Sequence, residues 1–214
     1  MTYEDFQKLC AQSKAGSAEQ RVSALAALEP YRVKNAVLMA AGYGSRLAPI
    51  TDKKPKGLLR IRGEVLVERQ IQQLIAAGIE DIFLVVGYRK EQFSYLASDP
   101  HVHIAENPDY WRYNNTSSVY RVLDVLDNPY ICSADNYFTK NVFAPYVYRS
   151  YYAATYGDEP TEEYYLSVDA DDRITGVQIG GAQGWYMMGH VYFACSFSEQ
   201  FRRLFKRAYE TDST

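Results

Sequence analysis

Residues 38–47 read Leu-Met-Ala-Ala-Gly-Tyr-Gly-Ser-Arg-Leu, an apolar run that opens into a loop with two glycines, a serine and an arginine. Without a Cβ, glycine lets backbone N–H groups approach an oxyanion closely, and the planar guanidinium of Arg46 adds a fixed positive fork. The stretch Ala40, Ala41, Gly42, Tyr43, Gly44, Ser45 and Arg46 is therefore suited to hold a phosphate. Downstream, Asp52-Lys53-Lys54-Pro55-Lys56-Gly57 brings three lysines within four positions. Lys53 and Lys54 read as a solvated turn. Lys56, stiffened by Pro55 and followed by Leu58, Leu59 and Ile61, is the one placed to point inward. A third feature is Ile131-Cys132-Ser133-Ala134-Asp135-Asn136, an apolar strand that ends in one carboxylate. Asp135 suits Mg²⁺, which takes one or two carboxylates and fills its shell with phosphate oxygens and water. It equally suits a cap on the turn at Asn136 and Tyr137.

Neither common phosphate loop fits. A dinucleotide-binding turn wants a third small residue opening a helix, but here that position is Leu47, Pro49 follows, and the next strand ends in Gly87-Tyr88 without an acid for a ribose. A Walker A loop needs Gly-Lys-Ser/Thr after four spacers, which the chain lacks.

The elements that must carry these residues alternate from Val33 onward. The pattern predicts a strand over 33–40, a helix over 65–76 ending at Gly78, a strand over 79–86 and a short helix over 91–97. A strand over 102–105, a helix over 117–126 and a strand over 130–133 follow. Such alternation reads as an α/β sheet covered on both faces. The second half turns towards β, with strands expected over 146–156, 164–168, 173–179 and 185–193 before a helix over 198–209. Residues 1–30 are set apart as a helical appendage and 31–214 as the main domain. In the appendage, Thr2 with Asp5 and Ser17 with Gln20 each form a capping box before an apolar run. Two such helices resemble a helix-turn-helix, but Lys8, Lys14 and Arg21 supply little charge for phosphates, so packing or homodimer formation is the expected use.

Composition excludes several classes. The 214 residues are 47% hydrophobic and 23% charged, with a formal net charge of −3 and no long basic run, so nucleic acid is not an expected partner. Cys10, Cys132 and Cys195 are widely spaced and lack metal-ligand spacing, which suits a reducing compartment. No stretch approaches the roughly 20 apolar residues that cross a bilayer, and Glu4 and Asp5 stand where a secretory signal wants basic residues. The expected location is the cytoplasm, with no membrane partner. Because the chain stops directly after a helix, fusion to a further C-terminal domain is also expected.

Taken in order, Ala-Ala-Gly-x-Gly-Ser-Arg-Leu, Lys-Pro-Lys, the Val86-Gly87-Tyr88 strand end, Tyr113-Asn114-Asn115 with Ser118, and Ala-Asp-Asn-Tyr resemble the bacterial CTP:phosphocholine cytidylyltransferases. The similarity runs from about Val33 to about Phe193. The first two motifs are shared with sugar-1-phosphate nucleotidyltransferases, and the Asn-Asn-x-x-Ser segment points to the phosphocholine branch. The resemblance implies a Rossmann-like nucleotidyltransferase fold, a mixed and mostly parallel central sheet flanked by helices, with a β-rich acceptor half. It implies CTP and a small phosphorylated amino-alcohol as substrates, with Mg²⁺ on Asp135. It also implies nucleotide contacts along Ala40–Arg46 and at Lys56, Gly87, Asn115 and Ser118, with Arg46 and Lys56 on the phosphates. The family carries an acidic residue after its last core strand, and Phe193-Ala194-Cys195 supplies none.

For the acceptor, a quaternary ammonium donates no hydrogen bonds and is held by aromatic faces. The chain has 20 tyrosines, and Tyr151, Tyr152, Tyr164, Tyr165, Trp185 and Tyr186 are the faces on offer. Tyr164 is the first choice from the resemblance, with Tyr137 and Trp185 as further acceptor contacts. A carboxylate beside Tyr164, such as Glu162 or Glu163, would instead suit the primary ammonium of 2-aminoethylphosphonate. A sugar 1-phosphate acceptor and a nucleotide-binding regulatory module without turnover are the other readings.

Overall fold

Both capping boxes close. In the computed structural model, which describes residues 1–113 and 115–212, α1 (Tyr3–Ala15) starts at Thr2 with Asp5 bonded back to it, and α2 (Ala18–Leu28) starts at Ser17 with Gln20. Phe6 from α1 packs on Tyr31 and Tyr148 at ring distances of 5.3 and 5.5 Å, and the Tyr148 hydroxyl donates to the Met1 carbonyl.

The apolar run before the glycine loop is β1 (Asn35–Ala40). A hairpin of β2 (Arg60–Ile61) and β3 (Glu64–Val65) follows, turning at Arg62 and Gly63 with φ of 52° and 86°. It has only two residues per strand, too short for a period-2 signal, and the sequence pattern did not predict it. α3 (Leu66–Ala76) ends as predicted at Gly78, whose φ of 77° lets Ile79 N–H reach back to the Leu74 carbonyl. That turn uses up residues 79–81, so β4 (Ile82–Val86) is shorter than expected. The short helix expected over 91–97 is a 3₁₀ helix over residues 90–98, and β5 (Val102–Glu106) follows. α4 (Asn115–Arg121) gives way to a 3₁₀ turn at Leu123–Val125 before β6 (Pro129–Ser133).

The β-rich half contains β7 (Tyr151–Gly157), β8 (Thr161–Val168), β9 (Ile174–Gly181) and β10 (Gly184–Tyr192). The expected start at Tyr146 is wrong, because that residue makes only an isolated bridge to Arg32, whose guanidinium lies over its ring. α5 (Cys195–Asp212) is longer than predicted and lays Phe201 and Phe205 on the core.

The strands form one eight-stranded sheet in the order β5-β4-β1-β6-β10-β8-β9, with β7 also paired to β10. β5, β4, β1 and β6 are parallel, and β10 runs antiparallel to β6. Alternate residues of β1 feed two cores. Leu38 joins Ile71, Leu74 and Phe93 on one face, while Val37 joins Leu126, Ile131 and Val191 on the other. The sheet is therefore mixed and flanked by helices, as the α/β reading expected. Parallel register also aligns the strand tips: Ala40 lies opposite Val86, and Met39 opposite Ser133. The chain segments that leave β1, β4 and β6 consequently emerge at one end of the sheet, where open α/β folds bind ligands.

β10 changes neighbours along its length. Trp185 and Tyr186 pair with β8, whereas His190–Tyr192 pair with β6. The register slips between Met187 and Val191, where Gly189 adopts a φ of 63°. Asn136, next to Asp135, holds the slip through its Nδ2, which donates to the Met188 and Gly189 carbonyls.

Candidate active site

The glycine loop leaves β1 beside the tip of β4 and is pinned there by backbone and side chains. Tyr88 N–H donates to the Ala41 carbonyl, and the Tyr88 hydroxyl sits 2.9 Å from the Asp52 carbonyl. Tyr43 packs edge-on against the Tyr88 ring at 4.5 Å. The buried Thr51 hydroxyl donates to the Gly44 carbonyl. Gly44 has a φ of 74°, and a Cβ there would lie 2.7 Å from Lys56 Cγ. The bare glycine is thus the bed along which the lysine stem runs. Its ammonium ends 3.2 Å from Asp135 Oδ2, with the two side chains 25% and 35% exposed.

Gly42, Gly44, Arg46, Lys56, Asn115 and Asp135 line one polar recess of about 230 Å³. The structure therefore brings together the glycine loop, both cations and the carboxylate that the sequence singled out. Arg46, Asn115 and Asp135 also border a larger cleft of about 1350 Å³ that extends over the β-rich half, where Tyr152, Tyr164, Tyr186, Met187 and Met188 form its walls. Across its mouth, Arg46 donates to Glu163 at 2.8 Å. Its guanidinium is thereby held still more firmly in the charged form.

Several expected residues lie elsewhere. Ser118 is buried and accepts a hydrogen bond from Asn107, so its hydroxyl faces the interior and does not line the cleft. Gly87 packs against Tyr110, which a Cβ there would approach to 2.7 Å. Tyr137 is covered by the Arg69 guanidinium at 4.8 Å and donates to Glu64. Trp185 meets Tyr156 edge-on at 5.6 Å on the exposed side of the sheet, because its neighbour Tyr186 takes the cleft-facing position. Ala41, Tyr43 and Ser45 shape the loop without lining the recess. Asn114 lies outside the described residues. Conversely, sequence reasoning did not find the roles of Tyr88, Thr51 and Asn136. Tyr88 and Asn136 carried a signal, as parts of the Val86-Gly87-Tyr88 and Ala-Asp-Asn-Tyr motifs, whereas Thr51 carried none.

No group of three His, Cys, Asp or Glu side chains fit to hold a metal exists among the described residues, and Asp135 is the carboxylate that lines the phosphate recess. Asp158, Glu159 and Glu163 are further acids around the larger cleft. Elsewhere, His190 is buried with Nδ1 3.2 Å from Cys132 Sγ and Nε2 2.8 Å from the Tyr151 hydroxyl. Burial pushes its pKa down to about 4 and pushes the Cys132 thiol up, so both are neutral core groups.

Comparison with known proteins identifies the family. The family model of the MobA-like NTP transferase domain matches residues 36–159. Choline-phosphate cytidylyltransferase of Streptococcus pneumoniae is 36% identical over 174 residues, 81% of this chain and 76% of that protein. 2-Aminoethylphosphonate cytidylyltransferase of Lancefieldella rimae is 37% identical over 180 residues, 82% of this chain and 73% of that protein. The solved CTP:phosphocholine cytidylyltransferase from Streptococcus pneumoniae superposes with a TM-score of 0.80 at 36% identity, covering 85% of this chain and 79% of that one. The chain therefore belongs to the MobA-like NTP transferase family, as a nucleotidyltransferase of the kind typified by the choline-phosphate cytidylyltransferases.

Proposed function

We propose that this nucleotidyltransferase moves CMP from CTP to phosphocholine and releases pyrophosphate. One observation carries the reading: the phosphate recess and an aromatic-walled cleft adjoin, sharing Arg46, Asn115 and Asp135 in their linings. A triphosphate in the recess would thus present its α-phosphorus towards an acceptor among Tyr152, Tyr164 and Tyr186. The acceptor phosphate is already ionised near neutral pH, so attack needs no general base. Catalysis then reduces to alignment and neutralisation of charge.

Arg46 and Lys56 are the residues that offset charge on the β and γ groups, and backbone N–H groups at Gly42 and Gly44 seat the phosphate oxygens. The donor set fits Mg²⁺, since one carboxylate at a strand tip beside a phosphate seat leaves the rest of the shell to phosphate oxygens and water. Bound at Asp135, the ion would supply Lewis-acid polarisation of the phosphoryl group under attack. Tyr164 offers its ring to the acceptor's cationic end. The three cysteines are unpaired, which supports a cytoplasmic setting. Among the described residues, no helix is long and apolar enough to cross a membrane.

Glu163 favours a second reading, with 2-aminoethylphosphonate as acceptor, because a carboxylate next to Tyr164 accepts hydrogen bonds that only a primary ammonium can donate. Pyrophosphate release should be measured with each of four nucleoside triphosphates against phosphocholine, 2-aminoethylphosphonate and glucose 1-phosphate, in the presence of magnesium. Turnover of CTP with phosphocholine above the other pairs is expected. Tight CTP binding without pyrophosphate release for any acceptor would overturn the proposal.

A further inference from the structure

Gln70 stands where the apolar stripe of α3 calls for a hydrophobic side chain. Val67, Ile71 and Leu74 fill that stripe at the i, i+4 and i+7 positions, and Gln70 at i+3 is buried with them. Its Nε2 donates at 3.0 Å to the Ser133 carbonyl and at 3.0 Å to the Asn136 carbonyl. An amide nitrogen carries two protons, and both of these neighbours are acceptors, so the nitrogen must face them and is saturated. The amide oxygen Oε1 has no partner among the described residues. A buried amide with an unmet acceptor is a poor choice for stability alone, and departures of this kind mark functional sites.

The two carbonyls that Gln70 holds bracket Asp135. Residues 133–136 form a turn that the Asn136 N–H closes onto the Ser133 carbonyl, and Asp135 is its third residue. From the other side, Asn136 Nδ2 ties the same turn to β10 through the Met188 and Gly189 carbonyls. The turn is thus fastened both from α3 and from the sheet, which fixes the backbone from which the Asp135 carboxylate projects. We propose that Gln70 is a positioning residue for that carboxylate, presetting it for the divalent cation that accompanies a nucleoside triphosphate. The proposal rests on the cytidylyltransferase reading above. Gln73, one turn further along α3, provides the contrast. It too is buried with an unpartnered Oε1, but its Nε2 donates to the Phe138 carbonyl, outside the turn that carries Asp135.

The test compares Gln70→Met and Gln73→Met with the wild-type full chain. Methionine keeps the length of glutamine without its donors, so each variant removes one buried amide from the same helix. Binding of Mn²⁺ to the chain carrying the unreactive α,β-methylene analogue of CTP is followed by water-proton relaxation, with Asp135→Asn as the reference for a lost ligand. Partners that orient a metal ligand are worth about 10–100-fold in metal affinity or activity, so Gln70→Met should weaken Mn²⁺ binding and lower kcat by about tenfold or more. The KM for CTP should stay within about twofold, because the glycine loop is untouched. Gln73→Met should shift the unfolding midpoint comparably and leave Mn²⁺ affinity and kcat within about twofold. Gln70→Glu has the same shape and, kept protonated by burial, donates to one carbonyl only. It should fall between wild type and Gln70→Met, and it decides the matter if the methionine variant does not fold. Wild-type Mn²⁺ affinity in a folded Gln70 variant would overturn the proposal, as would an equal loss in Gln73→Met. Absence of chain-bound Mn²⁺ in the wild type would instead sink the reading on which the proposal rests, so the two failures are separable.

Discussion

Gly42→Ala separates what the loop does for the fold from what it does for a phosphate. Gly42 lies outside the positive-φ glycines, and a Cβ built on it finds nothing within 4 Å. An alanine therefore fits the ligand-free backbone, and by restricting the unfolded chain it should stabilise by about 0.4–1 kcal/mol. For a domain of this size that raises the melting midpoint by about 1–4 °C. The same methyl would project into the recess that Gly42 lines with Lys56 and Asp135. There it displaces a phosphate oxygen from its backbone N–H donor. Losing one hydrogen bond to a charged group costs about 1.5–3 kcal/mol, or a ten- to hundredfold fall in kcat/KM for CTP. Gly63→Ala is the control, since Gly63 has an equally open surround but a φ of 86° in the β2–β3 turn. It should lose about 1–2 kcal/mol of stability and keep its kcat/KM. Thermal unfolding and initial-rate pyrophosphate release on both variants decide the matter. A destabilised Gly42→Ala would refute the backbone argument, and an unchanged kcat/KM would refute the phosphate seat.

Lys56→Ala should lower kcat by about 10²–10³-fold with little change in the unfolding midpoint, because its pair with Asp135 is partly solvated; near-normal turnover would remove Lys56 from the chemistry. Tyr164→Ala should raise the phosphocholine KM by about 2- to 30-fold, the range of one cation–π contact, whereas Trp185→Ala should leave it within twofold; steady-state kinetics with CTP saturating reads both. The neutral core imidazole of His190 predicts a pH dependence of stability. Its folded pKa of about 4 lies below the usual 6.5, so its contribution is complete above pH 6.5 and falls away as pH drops towards 4, by about 3 kcal/mol. Urea unfolding of wild type and His190→Gln across that window should differ in slope, and parallel curves would show that His190 does not titrate as a buried group.

Features set by neighbours in the chain were legible in the sequence. Two capping boxes, the turn at Gly78, the alternation of strands and helices, and the glycine loop followed by Lys56 each depend on residues a few positions apart. The shared location of Arg46, Lys56 and Asp135 also followed from sequence, because parallel strands deliver their C-terminal ends to one edge. Tertiary structure alone decided which aromatic faces the cleft. Along a strand a shift of one residue reverses every side chain, so Tyr186 and Trp185 exchange roles with the register, and β10 carries a register slip before Val191 that Asn136 holds through the Met188 and Gly189 carbonyls. The same holds for Ser118, whose hydroxyl turns to Asn107, and for Arg46, whose partner Glu163 comes from a distant strand. Contacts between residues far apart in the chain leave no local pattern, since they exist only once the sheet has brought its strands together.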